Sequence, residues 1–281
     1  MTLTTLDHDR ASAGMVYVYP VVSRRAGGVS VGINLNSNNA CNWRCIYCQV
    51  PDLQRGGPPP IDLARLEDEL RRMLDAIVHG DFLAREVPEA MRRLNDVALS
   101  GNGEPTSAPE FPAVVELIGR VLTDFALLGR VKLVLISNGS LAGKPRVQAG
   151  IRAMADLGGE VWFKFDRATR AGLRLVNDSE SDPEGHYRRL KRVAALCPTW
   201  VQTCLFALDG QPPAETEVAA WLALLARAVA EQVPLRGVLL YGLARPSLQA
   251  EAPRLAALPE AWLRALAARV EALGLAAKVS A

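Results

Sequence analysis

Val31-Gly32-Ile33-Asn34-Leu35 is a short β-rich run, and just beyond it stands Cys41-Asn42-Trp43-Arg44-Cys45-Ile46-Tyr47-Cys48, a C-x3-C-x2-C loop. Further β-rich runs follow at 97–100, 131–137, 161–165, 201–208 and 237–241. From residue 97 onward successive runs start about 30 to 40 residues apart, the length of one βαβ unit, which predicts parallel strands joined by crossover helices. The intervening stretches have helical period. Leu63, Leu66, Leu70, Met73, Leu74 and Ile77 recur at three and four residues, with Glu67, Asp68, Arg71 and Arg72 between them and Asp62 placed to cap. The same pattern covers 114–127, 147–157, 187–196, 218–233 and 261–273. Six β-then-α units predict an α/β fold, a partial (β/α)6 TIM-like barrel of parallel strands rather than an eightfold one.

Breakers such as Gly56-Gly57-Pro58-Pro59-Pro60, Pro105, Pro198 and Pro246 fall between the units, and no linker or low-complexity tract divides them. One domain is expected over 1–281, with the barrel at about 30–281 behind an N-terminal extension, 1–29. The polar stretch 167–184 reads as a long loop, and long loops in compact domains are often functional. With 49% hydrophobic and 22% charged residues the 281-residue chain has the composition of a globular protein, which excludes disorder, collagen and coiled coil. A net charge of +2 gives no support to a polyanion partner. Nothing resembles a secretion signal or a membrane span, and five cysteines, three of them within eight residues, fit a reducing compartment, so a cytoplasmic location is expected.

Three thiolates on one tight loop suit a soft-metal centre, because sulfur ligands select iron–sulfur clusters or zinc. A cubane cluster held by three cysteines keeps one iron open to an external ligand. A structural zinc site would want a fourth Cys or His, and His8, His79 and His186 are all remote in sequence. Buried, inert thiols are the third reading. Cys197 and Cys204, which flank and enter a run, read as core thiols.

The loop resembles that of the radical S-adenosylmethionine (radical SAM) enzymes, whose hallmark is C-x3-C-x-aromatic-C, with Tyr47 at the aromatic position. The resemblance implies a [4Fe–4S] cluster on Cys41, Cys45 and Cys48, with its open iron chelated by S-adenosylmethionine. It implies reductive cleavage of that molecule to a 5′-deoxyadenosyl radical that abstracts hydrogen from a substrate. An electron donor such as flavodoxin or ferredoxin would feed this oxidoreductase-type chemistry. The family fold is a partial (β/α)6 barrel.

The likeness continues along the chain. Gly101-Asn102-Gly103-Glu104-Pro105 is similar to the family's Gly-Gly-Glu-Pro motif for the methionine amino group, with Asn102 in place of the first Gly. Glycines let the backbone approach a ligand, and a strand-end carboxylate can receive an ammonium. Ser137 and Asn138, at the end of the third run, suit a ribose or form an ordinary turn. Lys164 and Asp166 share a face, opposite to Phe163 and Phe165, either toward the methionine carboxylate and the ribose or substrate, or as a barrel salt bridge. Tyr241, beside Gly242, ends the last run near an adenine position. Gln202, Asp209 and Arg245 are the candidates for substrate.

Ser23-Arg24-Arg25 together with these motifs looks like the wybutosine-synthase-like Fe–S oxidoreductase branch, a likeness that does not transfer the substrate. The favoured reading is an enzyme acting on a small molecule. RNA base modification is an alternative, drawn from the branch and from the basic helix face of Arg188, Arg189, Lys191 and Arg192, for which a solvated surface is the better reading because the same helix presents Leu190, Val193 and Leu196 inward. A glycyl-radical activase, whose substrate is a partner protein, and a non-enzymatic electron carrier or zinc-stabilised binding module complete the alternatives.

Overall fold

The computed structural model describes residue 3, residues 14–23 and residues 27–281. His8, Arg24 and Arg25 lie outside the described residues. Eight strands form one sheet in chain order: β1 (Val18–Ser23), β2 (Gly28–Ile33), β3 (Leu94–Leu99), β4 (Lys132–Ser137), β5 (Glu160–Lys164), β6 (Thr199–Cys204), β7 (Leu235–Tyr241) and β8 (Ala277–Ser280). All ladders from β2 to β8 are parallel and β1 pairs antiparallel with β2. The sheet curls into a half-barrel, the expected (β/α)6 core with one strand added at each edge.

Among the described residues the helices of eight or more residues are α1 (Leu63–Val78), α2 (Phe111–Asp124), α3 (Pro145–Asp156), α4 (Arg170–Asn177), α5 (Pro183–Ala194), α6 (Glu215–Ala230) and α7 (Glu260–Glu271). Asp62 caps α1, its side chain accepting from the Arg65 N–H. Alternation along the strands divides the two faces of the sheet. Val31, Leu99, Leu135, Phe163 and Val201 are buried in the hydrophobic core with the helices, whereas Ser30, Asp96, Lys164 and Gln202 face a cavity inside the curl. Among the described residues no helix is long and apolar enough to cross a membrane.

Three stretches differ from their sequence reading. The run 201–208 is broken: β6 stops at Cys204, and Ala207–Leu208 pairs antiparallel with Leu255–Ala256. The stretch 167–184 contains α4, which Thr169 caps through the Gly172 N–H and which Asp178 ends in the left-handed region at φ 47°. Only Leu173 and Val176 supply large apolar side chains to its buried face, too few to give a periodic signal in eight residues. The segment before residue 29 holds β1, whose Pro20 is tolerated because this edge strand pairs on one side only.

The start of β1 is pinned by Glu69 of α1, whose buried carboxylate accepts the N–H groups of Val16 (2.9 Å), Tyr17 (2.7 Å) and Val18 (3.3 Å). Its middle depends on Gly32, because a Cβ there would lie 2.2 Å from the Tyr19 ring. Replacing Gly32 with Val is therefore expected to cost about 1–3 kcal/mol through overpacking. Denaturant titration reads it as a lowered midpoint, and adding Tyr19→Ala to the same chain is expected to recover part of the loss.

Candidate functional site

A cavity of about 290 Å3 lies inside the curl, walled from the cysteine loop at the C-terminal strand ends down to Ser30 and Asp96. Cys41, Cys45 and Cys48 line it together, as do Tyr47, Glu104, Asn138, Lys164, Gln202, Tyr241 and Arg245, and the backbone of residues 101–103. Burial pushes the Cys41 thiol up to about 12 and the Cys45 thiol up to about 11, so both stay protonated until a metal takes the charge. All five cysteines are free. Cys197 and Cys204 are buried as expected, but Cys204 also faces the cavity.

The cysteine loop has little structure of its own and is held from outside. The N–H groups of Arg44 and Ile46 donate to the carbonyls of Asn177 (3.2 Å) and Val176 (2.9 Å), at the end of α4. Arg44 forms a fork onto Glu251 at 2.9 and 2.7 Å and a further bond to Asp178 at 3.3 Å. From the other side, Leu248 N–H donates to the Cys48 carbonyl (2.9 Å) and Ser247 Oγ to the Ile46 carbonyl (2.7 Å). Amide side chains brace the rim. Asn138 Nδ2 donates to Asn42 Oδ1 (2.9 Å), Asn102 Nδ2 to Asn39 Oδ1 (2.6 Å) and Asn36 Nδ2 to the Ala40 carbonyl (2.8 Å).

Glu104 is buried at the end of β3. Its Oε1 accepts from Thr106 N–H (3.1 Å), Thr106 Oγ1 (2.6 Å) and Ser137 Oγ (2.8 Å), and its Oε2 accepts from Asn138 N–H (2.7 Å). Burial raises its pKa despite these four donors. A cation arriving from the cavity would reverse that shift, and Oε2 keeps room to receive it. The glycines beside it serve packing: a Cβ on Gly101 would meet Asn34 at 2.4 Å and one on Gly103 the Ala40 carbonyl at 2.2 Å. Both glycines also line the cavity, so their backbone stands open to it on the other side.

Lys164 Nζ donates to the hydroxyls of Tyr47 (2.6 Å) and Tyr241 (3.2 Å) and lies 4.0 Å from Asp166. Burial works against the ammonium, but the surrounding negative groups, Asp166 among them, outweigh it and hold the pKa well above the ordinary lysine value. Asp166 does not face the cavity. It stands behind Tyr47, accepting from the Tyr47 hydroxyl, Asn177 Nδ2 (2.8 Å) and Cys204 N–H (2.8 Å), and so orients the wall rather than touching a ligand. Ser137 likewise sits behind Glu104. Asp209 is a plain correction: it occupies an exposed turn at φ 52°, pairs with Arg254 at 2.6 Å and does not reach the cavity.

Two residues that sequence reasoning passed over complete the site. Asn177 donates to Cys45 Sγ (3.2 Å), inside a polar stretch that carries no motif. His186 packs its ring against Trp43 of the cysteine loop (5.5 Å between centroids) and against Phe163 (5.0 Å) and Phe165 (4.5 Å). Its Nε2 lies 3.0 Å from the Lys164 carbonyl, which fixes a neutral ring donating through Nε2.

With this geometry in place, the solved structures it resembles can be named. A radical SAM methyltransferase from Sphaerobacter thermophilus matches at a TM-score of 0.61, with 13% identity over 93% of this chain and 68% of that one. A structure of TYW1 with a lysine–pyruvate adduct bound matches at 0.58, with 16% identity over 86% of this chain and 73% of that one. The chain has the radical SAM fold. Within this radical SAM fold the cysteine loop follows β2, the first barrel strand, as the sequence led one to expect. No family model matches the chain. A UPF0026 protein of Helicobacter pylori is 32% identical over 138 residues, which cover 47% of this chain and 38% of that one. The chain thus spans under half the length of that curated relative.

Burial of His186, and secondarily the Arg189 charge, lowers its pKa to about 3, against about 6.5 for a free imidazole. Between these values the unfolded chain binds more protons than the folded one. The stability this neutral ring contributes is therefore complete above pH ~6.5 and is lost as the pH falls toward 3, by about 1.4 kcal/mol per pH unit. Urea midpoints at pH 7, 6, 5 and 4 are expected to fall less steeply in His186→Gln than in the unsubstituted protein.

Proposed function

We propose that residues 1–281 form a single radical SAM domain and that the chain is a radical SAM enzyme acting on a small molecule in the cytoplasm, with a donor such as flavodoxin or ferredoxin supplying electrons. One observation carries the reading: the three thiols of the C-x3-C-x2-C loop and the buried carboxylate of Glu104 face the same cavity. The donor set fits the cofactors. Three thiols beside one another suit a [4Fe–4S] cluster with one open iron. Among the described residues no three His, Cys, Asp or Glu side chains close on a single metal ion, and thiols spread round a cluster of four irons need not do so. When bound, the cluster and S-adenosylmethionine together supply one-electron cleavage of the sulfonium and abstraction of a hydrogen atom from substrate.

The protein's own groups bind and orient. Glu104 Oε2 would receive the methionine ammonium, a charge-assisted contact that also restores the carboxylate to its ionised form. Lys164, held by Tyr47 and Tyr241, offers fixed positive charge to the methionine carboxylate. Asn138 and the backbone at Gly101, Asn102 and Gly103 form the rim on the same side, and Tyr241 closes the opposite one. Asp166 and Asn177 act through Tyr47 and Cys45 as positioning residues.

Anaerobic reconstitution with iron and sulfide, reduction and addition of S-adenosylmethionine are expected to yield 5′-deoxyadenosine by chromatography. Ala in place of any one of Cys41, Cys45 or Cys48 is expected to abolish it and to lower bound iron. Glu104→Gln is expected to retain the cluster spectrum while weakening S-adenosylmethionine binding at least about tenfold, the scale of one buried charged contact. A protein that takes up zinc but assembles no cluster would overturn the reading.

A further inference from the structure

We propose that the side chain of Gln202 is the substrate-recognition group of this cavity, and that it takes a small uncharged molecule through a cis-amide edge, the adjacent N–H and C=O of a lactam. The inference rests on the radical SAM reading above and deepens it. Gln202 is 1% exposed, faces the cavity from β6, and both its Oε1 and its Nε2 are buried without a hydrogen-bond partner. Buried amides are nearly always satisfied, and each unmet atom costs stability, so such an exception calls for a ligand that meets both.

Other polar groups of the cavity have partners within the chain. Ser30 donates to Asp96, the hydroxyls of Tyr19 and Ser100 lie 3.0 Å apart, and Trp162 Nε1 donates to Glu160 (2.9 Å). Lys164, beside Gln202 in register, spends two of its hydrogens on Tyr47 and Tyr241. These pairs fix much of the cavity surface before any ligand arrives, whereas the Gln202 amide stays open at both of its polar atoms.

The chemistry of the ligand follows from that amide. Oε1 accepts and Nε2 donates, side by side, so the complement presents one donor next to one acceptor on a single edge. A carboxylate or phosphate, though Lys164 and Arg245 line the same cavity, is acceptor-only: it would take the Nε2 hydrogens and leave Oε1 orphaned against its charge. An ammonium would satisfy Oε1 and leave Nε2 orphaned. A cis-amide meets both atoms with no net charge, and the half-buried indole of Trp162 and the Ile136 side chain in the same cavity offer apolar surface to the rest of a small ring.

The probe is 2-pyrrolidinone, a minimal lactam, with N-methyl-2-pyrrolidinone as the control that keeps the shape and loses the N–H. Binding to the cluster-loaded protein with S-adenosylmethionine present is read anaerobically by ligand-observed NMR. The lactam is expected to bind at millimolar concentration, as a fragment of six heavy atoms would. Its N-methyl analogue is expected to bind at least about tenfold more weakly, and Gln202→Leu to lose the lactam by a similar factor. Gln202→Glu, which keeps the shape, guards against a folding defect and is expected to lose the lactam too. Equal binding of both probes, no binding of the lactam, or undiminished binding to both variants would overturn the proposal. So would a comparable fall in S-adenosylmethionine affinity in Gln202→Glu, which would assign the residue to the cofactor. Failure of the underlying reading shows separately, as absence of a cluster or of 5′-deoxyadenosine in the unsubstituted protein.

Discussion

A loop carrying three cysteines must hold its thiols in place before any metal rewards it, and here that constraint is met by backbone hydrogen bonds from elsewhere in the chain. Arg44 and Ile46 donate to the last turn of α4, and the carbonyls of Ile46 and Cys48 accept from the segment after β7. The loop is thereby stretched between two pieces of chain that belong to different β/α units. The fork from Arg44 onto Glu251 is partly solvent-exposed, and pairs of that kind contribute little energy alone. Their value is directional, since a planar guanidinium fixes the angle at which the loop leaves the barrel. His186, wedged under Trp43 and donating to the end of β5, supports the loop from below.

The interior of the curl differs from that of a closed barrel. There, inward side chains are bulky and branched and fill the space in layers. Here Ser30, Asp96, Lys164 and Gln202 stand among them beside Ala98, Ile136 and Trp162, and a cavity remains. A charged or polar group in such a place is tolerated only when its partners are built in. The chain supplies them in pairs: serine with aspartate, tyrosine with serine, lysine with two tyrosines, glutamate with a threonine, a serine and two backbone donors. Each pair shortens the list of groups still available to a ligand.

Much of this was legible in the sequence, for physical reasons. Parallel strands buried on one face read as compact β-rich runs at crossover spacing, and the cysteine loop and the Gly101 to Pro105 turn announce themselves by residue type. What the sequence hid falls into two kinds. The helix α4 is short and mostly polar, so its caps, Thr169 and Asp178, are its main signal. The alternating Val16-Tyr17-Val18-Tyr19 before Pro20 is the trace of β1, obscured by a proline that only an edge strand accepts. Side chains that act through others were invisible for a different reason: Asn177 and His186 are ordinary residues until the fold sets one against Cys45 and the other against Trp43. Asp209 errs the other way, a residue of suggestive type after a strand whose turn carries it outward to Arg254.

The strict chain order of the strands has a bearing on how the molecule is assembled. Neighbouring strands are joined by a single connection, so the sheet can grow one unit at a time as the chain lengthens, with modest loop-closure cost at each step. The cysteine loop belongs to the first of those units, yet its braces come from Asn177 and from residues 247–251, up to 207 positions away. The braces of the cysteine loop are therefore among the most non-local contacts of the fold, formed only when the far end of the chain has returned to its first unit. A chain that lacks that far end would leave the three thiols without those hydrogen bonds.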